Sequence, residues 1–448
     1  MCISRELFSS INLLRFFTLY SLPNLLNVLG FMDYSHFGSK FTQPNGITQL
    51  MEDLGNAKSS NNPNLVMLGG GNPASVPQVN TAFINELNHL VKNNKIAQIM
   101  GLYDGPTGND EFRAALANQL TQEYAWNLTA SNIALGNGSQ ANFFILFNLF
   151  AGKMANGSHK KVLFPLAPEY VGYADQGLTD DMFVAIKPEI EILNTPNGSK
   201  QFKYVIDFDA VKAVLANDNS ISALCVSRPT NPTGNVITDD EVHQLDLLAK
   251  QYNIPLIIDN AYGDPFPGCI YTDANLTWNS NIILCMSLSK LGLPGLRTGI
   301  VVANNEIIKA ISRVNGAMVL SPNSFGPSLV TRLIKDDKLL PLCKNTILPF
   351  YKNKAQVAVS LFDELFADLP VYLHKVEGAF FMWLWFKDSK ITSEQLYQKL
   401  KKQDVYIIPG HNFFIGIEDS WEHKHQCVRI NYATDETTLK KGLEAIKT

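Results

Sequence analysis

The stretch Ser287-Leu-Ser-Lys-Leu-Gly-Leu-Pro-Gly-Leu-Arg297, entered from the apolar run Asn281-Ile-Ile-Leu-Cys-Met286, decides how the chain is read. An apolar run bounded by turn residues has the pattern of a buried strand in a parallel sheet, and open α/β sheets place their ligands beyond the carboxyl ends of such strands. Lys290 falls at that end. An amine at the rim of an apolar sheet loses its proton more readily than a surface lysine, and the free amine can form a Schiff base with a carbonyl. Arg297, seven residues on, has the geometry to fork onto an anion. A surface lysine and arginine on a loop is the commoner meaning of either residue alone, so the reading depends on what the other strand ends supply.

Outward from this stretch, several more segments end in chemically suggestive turns. Asn64-Leu-Val-Met-Leu-Gly-Gly-Gly-Asn-Pro73 reads as a short strand followed by a turn whose glycines, Gly71 among them, permit close backbone approach to a ligand, or form a plain loop. In Gly101-Leu-Tyr-Asp-Gly-Pro-Thr-Gly108, Tyr103 lies in a polar turn before a helix, where a tyrosine is ordinarily a surface residue. Ile133-Ala-Leu-Gly136 leads through Gly138-Ser139-Gln140 into an apolar helix, and a helix start of that composition offers unpaired N–H groups to a phosphate, unless Ser139 serves only as a cap. Lys161-Val-Leu-Phe-Pro-Leu-Ala-Pro-Glu-Tyr170 ends in a tyrosine suited to stack on a flat ring or to pack in a core. Ser222 to Gly234 closes in Asn231-Pro-Thr-Gly, where proline holds the amide in one direction. Pro255-Leu-Ile-Ile-Asp-Asn-Ala-Tyr262 carries Asp259 out of an apolar strand, and a buried carboxylate there needs a partner. In Cys427-Val-Arg-Ile-Asn-Tyr432, alternation sets Arg429 and Asn431 opposite the apolar Val428, Ile430 and Tyr432, towards either a ligand or solvent.

Taken together and in this order, the string Ser-x-Ser-Lys-x-x-x-x-Gly-x-Arg, the tetrapeptide Asn231-Pro-Thr-Gly, Asp259 with Tyr262, and the Asn137-Gly-Ser-Gln turn resemble the class I/II aminotransferases, enzymes of fold type I that use pyridoxal 5'-phosphate. The resemblance implies an α/β fold: a large domain with a mostly parallel seven-stranded sheet between helices, and a smaller α+β domain. It implies that Lys290 holds the cofactor covalently and moves the substrate proton, with Asp259 and Tyr262 completing the catalytic group. Gly138, Ser139, Gln140, Ser287 and Arg297 would hold the phosphate, joined by Tyr103 from the partner subunit of a homodimer. Tyr170 would stack on the ring, Asn231 and Tyr262 would bond its oxygen, and Asp259 would face its nitrogen. Arg429, Gly71 and Asn231 would take the substrate carboxylate. Through Phe41-Thr-Gln-Pro-Asn-Gly-Ile-Thr-Gln-Leu-Met-Glu-Asp-Leu54, Met67-Leu-Gly-Gly-Gly-Asn-Pro-Ala74 and Leu288-Ser-Lys-Leu-Gly-Leu-Pro-Gly-Leu-Arg-Thr-Gly299, the chain most resembles members of the family that pair an apolar amino acid, L-valine, with pyruvate. The alternatives are an aminotransferase of the aromatic or 2-aminoadipate type, a carbon–sulfur lyase, and a regulator that only senses the cofactor.

Composition is consistent with this. The 448 residues are 46% hydrophobic and 17% charged with net charge -4, so the chain is long enough for a large core and shows no basic run that would mark a nucleic-acid binder. Six scattered cysteines without a CxxC pair fit a reducing compartment, and the expectation is a cytoplasmic enzyme. His423 and His425 read as a polar surface loop, and no metal site is expected. The expected divisions are residues 1–31 as an extension outside the fold, 32–90 as an N-terminal arm with part of the small domain, 91–327 as the large cofactor-binding domain, and 328–448 as the rest of the small domain. Residues Phe16 to Phe31 are uncharged but broken by Pro23, Asn24 and Asn27 and too short to span a membrane, which favours a start at Met32 over a signal or an anchor.

Overall fold

The computed structural model describes residues 33–42, 46–59, 62–196 and 198–447. The extension 1–31 and the candidate start Met32 lie outside the described residues. The chain forms two units, Met1–Asn45 and Gly46–Thr448. In the first, the described residues hold the short helix His36–Ser39, begun by Ser35, whose hydroxyl accepts the Gly38 N–H at 3.0 Å.

In the second unit the apolar runs pair into one large sheet in the order Ile133–Gly136, Gly299–Val302, Ile282–Ser287, Leu256–Asp259, Ile221–Ser227, His159–Phe164, with Phe183–Ala185 beside the last of these and the two-residue strand Gly152–Lys153 at its margin. The pairings from Ile282–Ser287 through Phe183–Ala185 are parallel, whereas Gly299–Val302 runs antiparallel to both neighbours. The reason for continuous apolar runs is visible in the packing. Ile282, Leu284 and Met286 enter one hydrophobic cluster and Ile283 and Cys285 the other, so each strand buries both faces. Phe112 and Leu116 of the helix Asp110–Tyr124 cover the first face, and Phe143 and Phe147 of Ser139–Phe150 cover the second.

A second sheet runs Ile408–Pro409, Cys427–Asn431, Phe381–Phe386, Val371–His374, Lys200–Val205, Glu189–Asn194. Its last two strands come from chain lying between strands of the large sheet, and together with Val371–His374 they are absent from the sequence reading, because Glu189–Asn194 alternates with charge and carries no buried run. The expected loop at His423 also differs. His423 is buried against Trp421 and Trp385, with its Nε2 2.5 Å from the Tyr204 hydroxyl, since this aromatic layer takes up an imidazole more readily than its polar flanks suggest. Among the described residues no helix is long and apolar enough to cross a membrane.

The large sheet's carboxyl ends align in register, Ser227 beside Asp259 and Asp259 beside Cys285. One steep constraint keeps the neighbouring helix start in place: Gly299 lies under it, and a Cβ at Gly299 would sit 2.5 Å from Gly138 C and 2.6 Å from Ser139 N. Backbone cannot give way as a flexible side chain does. The variant Gly299→Ala is expected to lose about 1–3 kcal/mol of stability, read as a lower urea midpoint with an unchanged slope.

Candidate active site

The strand ends and the turn after Leu68 converge on one cleft of about 390 Å³, lined by Gly71, Ser139, Gln140, Tyr170, Asn231, Asp259, Tyr262, Ser287, Lys290, Arg297 and Arg429. Gly138 stands at its edge in a left-handed conformation (φ +89°) at the start of the helix Ser139–Phe150, and a Cβ there would overlap the Arg297 guanidinium. Glycine thus lets an arginine lie against a helix N-terminus, an arrangement whose dipole and N–H groups favour an anion. Arg297 is otherwise exposed, donating from Nη1 to Pro294 O at 3.3 Å. Ser139 Oγ donates to Met286 O at 3.3 Å and Ser287 Oγ to Thr298 O at 3.4 Å. Gln140 Nε2 donates to Gly172 O at 2.8 Å, so this side chain is already engaged with the turn that carries Tyr170.

Lys290 Nζ donates to Gly71 O at 2.7 Å and stands 5.3 Å from the Tyr262 ring centroid. Burial, reinforced by the charge of Arg429, draws its ammonium down to about 8 against the opposing pull of Asp259. Asp259 is pushed the other way: burial raises its carboxyl, while the Tyr173 hydroxyl, the Ala261 N–H and Lys290 oppose the rise. The Tyr173 hydroxyl donates to Oδ2 at 2.6 Å and Ala261 N to Oδ1 at 3.0 Å. Asn231 Nδ2 lies 3.5 Å from the Tyr262 hydroxyl, which burial holds well above its ordinary pKa.

Arg429 does not face solvent. It is 4% exposed, donates from Nη1 to Asn231 Oδ1 at 2.7 Å and from Nη2 to Gly69 O at 2.8 Å, and lies over the rings of Phe381 and Phe413. Its buried Nε has no partner among the described residues. Asn431, on the same strand face, donates to Gly70 O at 2.7 Å, so both polar residues of that alternation hold the glycine turn.

Tyr103 is not in this cleft. It is 82% exposed and lies beside another depression, with His89, Lys95 and Ser328. Residues that sequence reasoning missed include Tyr173, which holds Asp259, and Ser227 and Ser289, which line the cleft. Ser289 lay within the quoted stretch, whereas nothing in the spacing of Tyr173 marks its contact. Also missed was an apolar wall formed by Leu50, Met51 and Leu54 of the helix Gly46–Ser59 with Met67 and Ile408. Asp53 of that helix accepts from Lys401 Nζ at 2.6 Å and from the Tyr397 hydroxyl at 3.0 Å.

These features suit a planar group with a phosphate at one end and a protonated nitrogen at the other. The glycine-floored helix start with Arg297 offers N–H groups and a cation to an anion, Asp259 is a buried carboxylate held by two donors, and Lys290 supplies an easily deprotonated amine in the same cleft.

The family of aminotransferases of class I and II matches residues 68–446. Valine–pyruvate aminotransferase of Escherichia coli (strain K12) is 49% identical over 415 residues, spanning 93% of this chain and 97% of that protein. The crystal structure of valine-pyruvate aminotransferase from Salmonella typhimurium LT2 superposes with a TM-score of 0.81 at 48% identity, over 90% of this chain and 97% of that one. A structure from Psychrobacter arcticum 273-4 superposes with a TM-score of 0.90 at 46% identity, over 93% and 98%. With its sheet order, its cleft at the strand ends and these likenesses in agreement, the chain belongs to the class I and II aminotransferases, enzymes of fold type I whose cofactor is pyridoxal 5'-phosphate.

Proposed function

We propose that this aminotransferase moves the amino group of L-valine to pyruvate, yielding 3-methyl-2-oxobutanoate and L-alanine, as a cytoplasmic homodimer. The observation that carries the substrate class is the composition of the cleft. Its charged lining residues are Asp259, Lys290, Arg297 and Arg429, and the wall formed by Leu50, Leu54, Met67 and Ile408 is apolar. One guanidinium, Arg429, lies apart from the phosphate cradle and serves the carboxylate common to every amino acid. No further cation among the described lining residues remains for a side-chain carboxylate, while a branched apolar side chain gains by burial against the wall. The likeness to the Escherichia coli and Salmonella typhimurium enzymes agrees with this choice.

Pyridoxal 5'-phosphate, when bound, supplies the carbonyl that carries the amino group and the electron-withdrawing ring that loosens the bonds at the substrate's α-carbon. Gly138, Ser139, Gln140, Ser287 and Arg297 hold its phosphate, Asn231 and Tyr262 its ring oxygen, Tyr170 its face and Asp259 its ring nitrogen. Arg429, fixed by Asn231 and Gly69, presents its remaining donors to the substrate carboxylate near Gly71. Lys290, neutral at mildly alkaline pH, takes the α-proton and returns it one position away. Tyr103 completes the phosphate site of the partner subunit. In support, Met100, Leu102 and Tyr103 are 75%, 65% and 82% exposed, a run of large side chains that a second copy would cover.

Absorbance of the purified holoenzyme tests the substrate pair. The bound-cofactor band is expected to disappear with L-valine and return with pyruvate, and a band left unchanged by valine rejects the donor. The variant Arg429→Lys is expected to raise KM for both valine and pyruvate about 10- to 100-fold, because the buried fork is lost. Tyr103→Phe is expected to weaken cofactor binding about 10-fold in equilibrium dialysis while leaving the dimer intact. The Lys290 amine is protonated below about 8 and neutral above it. Labelling of Lys290 in cofactor-free protein by a neutral aldehyde and borohydride is therefore expected to rise with pH through about 8 and level off, whereas an ordinary lysine keeps gaining towards about 10.4.

A further inference from the structure

Beside Asp259 the cleft hides a second acid that no step above uses. Glu169, next to Tyr170, is 2% exposed. Its Oε1 accepts the Ser227 N–H at 2.8 Å, its Oε2 meets the Ser227 hydroxyl at close range, and its own N–H donates to Phe413 O at 2.9 Å. Ser227 ends its strand directly beside Asp259 and lines the cleft. Two carboxyl groups thus lie at neighbouring positions, Glu169 buried and Asp259 at the cleft wall, and two negative charges there would repel where burial weakens screening.

Their surroundings differ. Both accept hydrogen bonds, Asp259 from the Tyr173 hydroxyl and the Ala261 N–H and Glu169 from Ser227 and the Tyr170 N–H, but Asp259 is also drawn towards its charged form by Lys290. The titratable groups facing Glu169 are Asp259, Tyr173 on the adjoining turn and Cys225 on the strand of Ser227, all acids. His411, on the turn that bonds Glu169 N–H, interacts instead with Glu394, His425 and Lys424. Among the described residues no cation is among the causes acting on Glu169, and its carboxyl is pushed up to about 8, by burial first and by the Asp259 charge in addition.

We propose that Glu169 is a positioning residue for Asp259: as a neutral acid it carries the one proton of this buried pair, donates it in a hydrogen bond to the Ser227 hydroxyl, and leaves the negative charge on Asp259, where the cofactor's ring nitrogen needs it. The Ser227 hydroxyl proton is then free to point into the cleft, since its oxygen is the acceptor from Glu169. The arrangement rests on the cofactor site assigned above, but its central claim concerns the chain's own proton and holds for any amino-acid substrate.

Infrared difference spectra between the wild type and Glu169→Gln, recorded without cofactor at about pH 6, test it directly, because glutamine preserves an acceptor for Ser227 N–H and a donor for Ser227 Oγ. The expected result is a carbonyl stretch of a protonated carboxylic acid that shifts in heavy water and is missing in Glu169→Gln. In the holoenzyme, the pH midpoint of the bound-cofactor band should stay within about 0.3 unit in Glu169→Gln, and Glu169→Leu should weaken cofactor binding about 10-fold or more, with rescue by the glutamine variant. A residue that serves packing alone would lower Tm in Glu169→Leu and leave cofactor affinity unchanged, which overturns the assignment. It is overturned equally if the protonated-acid band is absent, if that band vanishes in Asp259→Asn and persists in Glu169→Gln, or if Glu169→Gln moves the midpoint by about one unit, as loss of a neighbouring negative charge would. Failure of valine to react would reject the substrate pair and leave these readouts untouched.

Discussion

A guanidinium buried between two aromatic rings has to be given acceptors, and the way Arg429 obtains them holds the molecule's working parts together. One arm reaches Asn231, on the loop leaving the large sheet, and the other reaches Gly69, on the glycine turn. The arginine itself belongs to the second sheet, between Phe381 and Phe413. Three segments distant in sequence are thereby fixed by one planar cation. Burial weakens its hold on its proton, down to about 10, and still leaves it charged at any physiological pH. The orphaned Nε marks where the set of acceptors among the described residues is incomplete, in keeping with the proposed role towards an anion.

The same economy governs the other charged groups at the strand ends. Lys290, Asp259, Arg297 and Glu169 differ little in their intrinsic chemistry from groups on the surface, and their environments set them apart. Lys290 is loosened by burial and by two guanidinium neighbours, Asp259 is supplied with donors, and Arg297 stays near water against a helix start. Apolar strands buried on both faces make this possible, because they end abruptly in a row and set polar residues at a boundary where dielectric and hydrogen-bonding change within one residue.

That boundary is also why much of the site could be read from the sequence. Asn231, Asp259, Ser287 and Lys290 each follow an uninterrupted apolar run, and such runs have few other meanings in a chain of this length. What escaped notice lacked that signature. Tyr173 acts through a turn, Glu169 looks like a surface residue between Pro168 and Tyr170, and the strands Glu189–Asn194 and Lys200–Val205 carry charges on a sheet with one open face. Arg429 could be placed on a face by alternation but not assigned to ligand or solvent, because a strand's period says which residues share a side and nothing about what lies opposite. The exposed Tyr103 poses the same problem in another form: it lies away from the cleft, beside a separate depression, and its polar turn gives no sign of what it meets.

The helix Gly46–Ser59 brings the apolar wall to the cleft, and its supports lie in one direction. Asp53 ties it to Tyr397 and Lys401, and the chain just after it enters a parallel pairing of Val66–Met67 with Val405–Tyr406 before Leu68 O accepts the Asn431 N–H. The apolar wall and Arg429 are therefore carried by one connected set of segments, the second sheet with the glycine turn beside it. In the proposed reading, an amino acid's side chain and carboxylate are thus measured against one connected support.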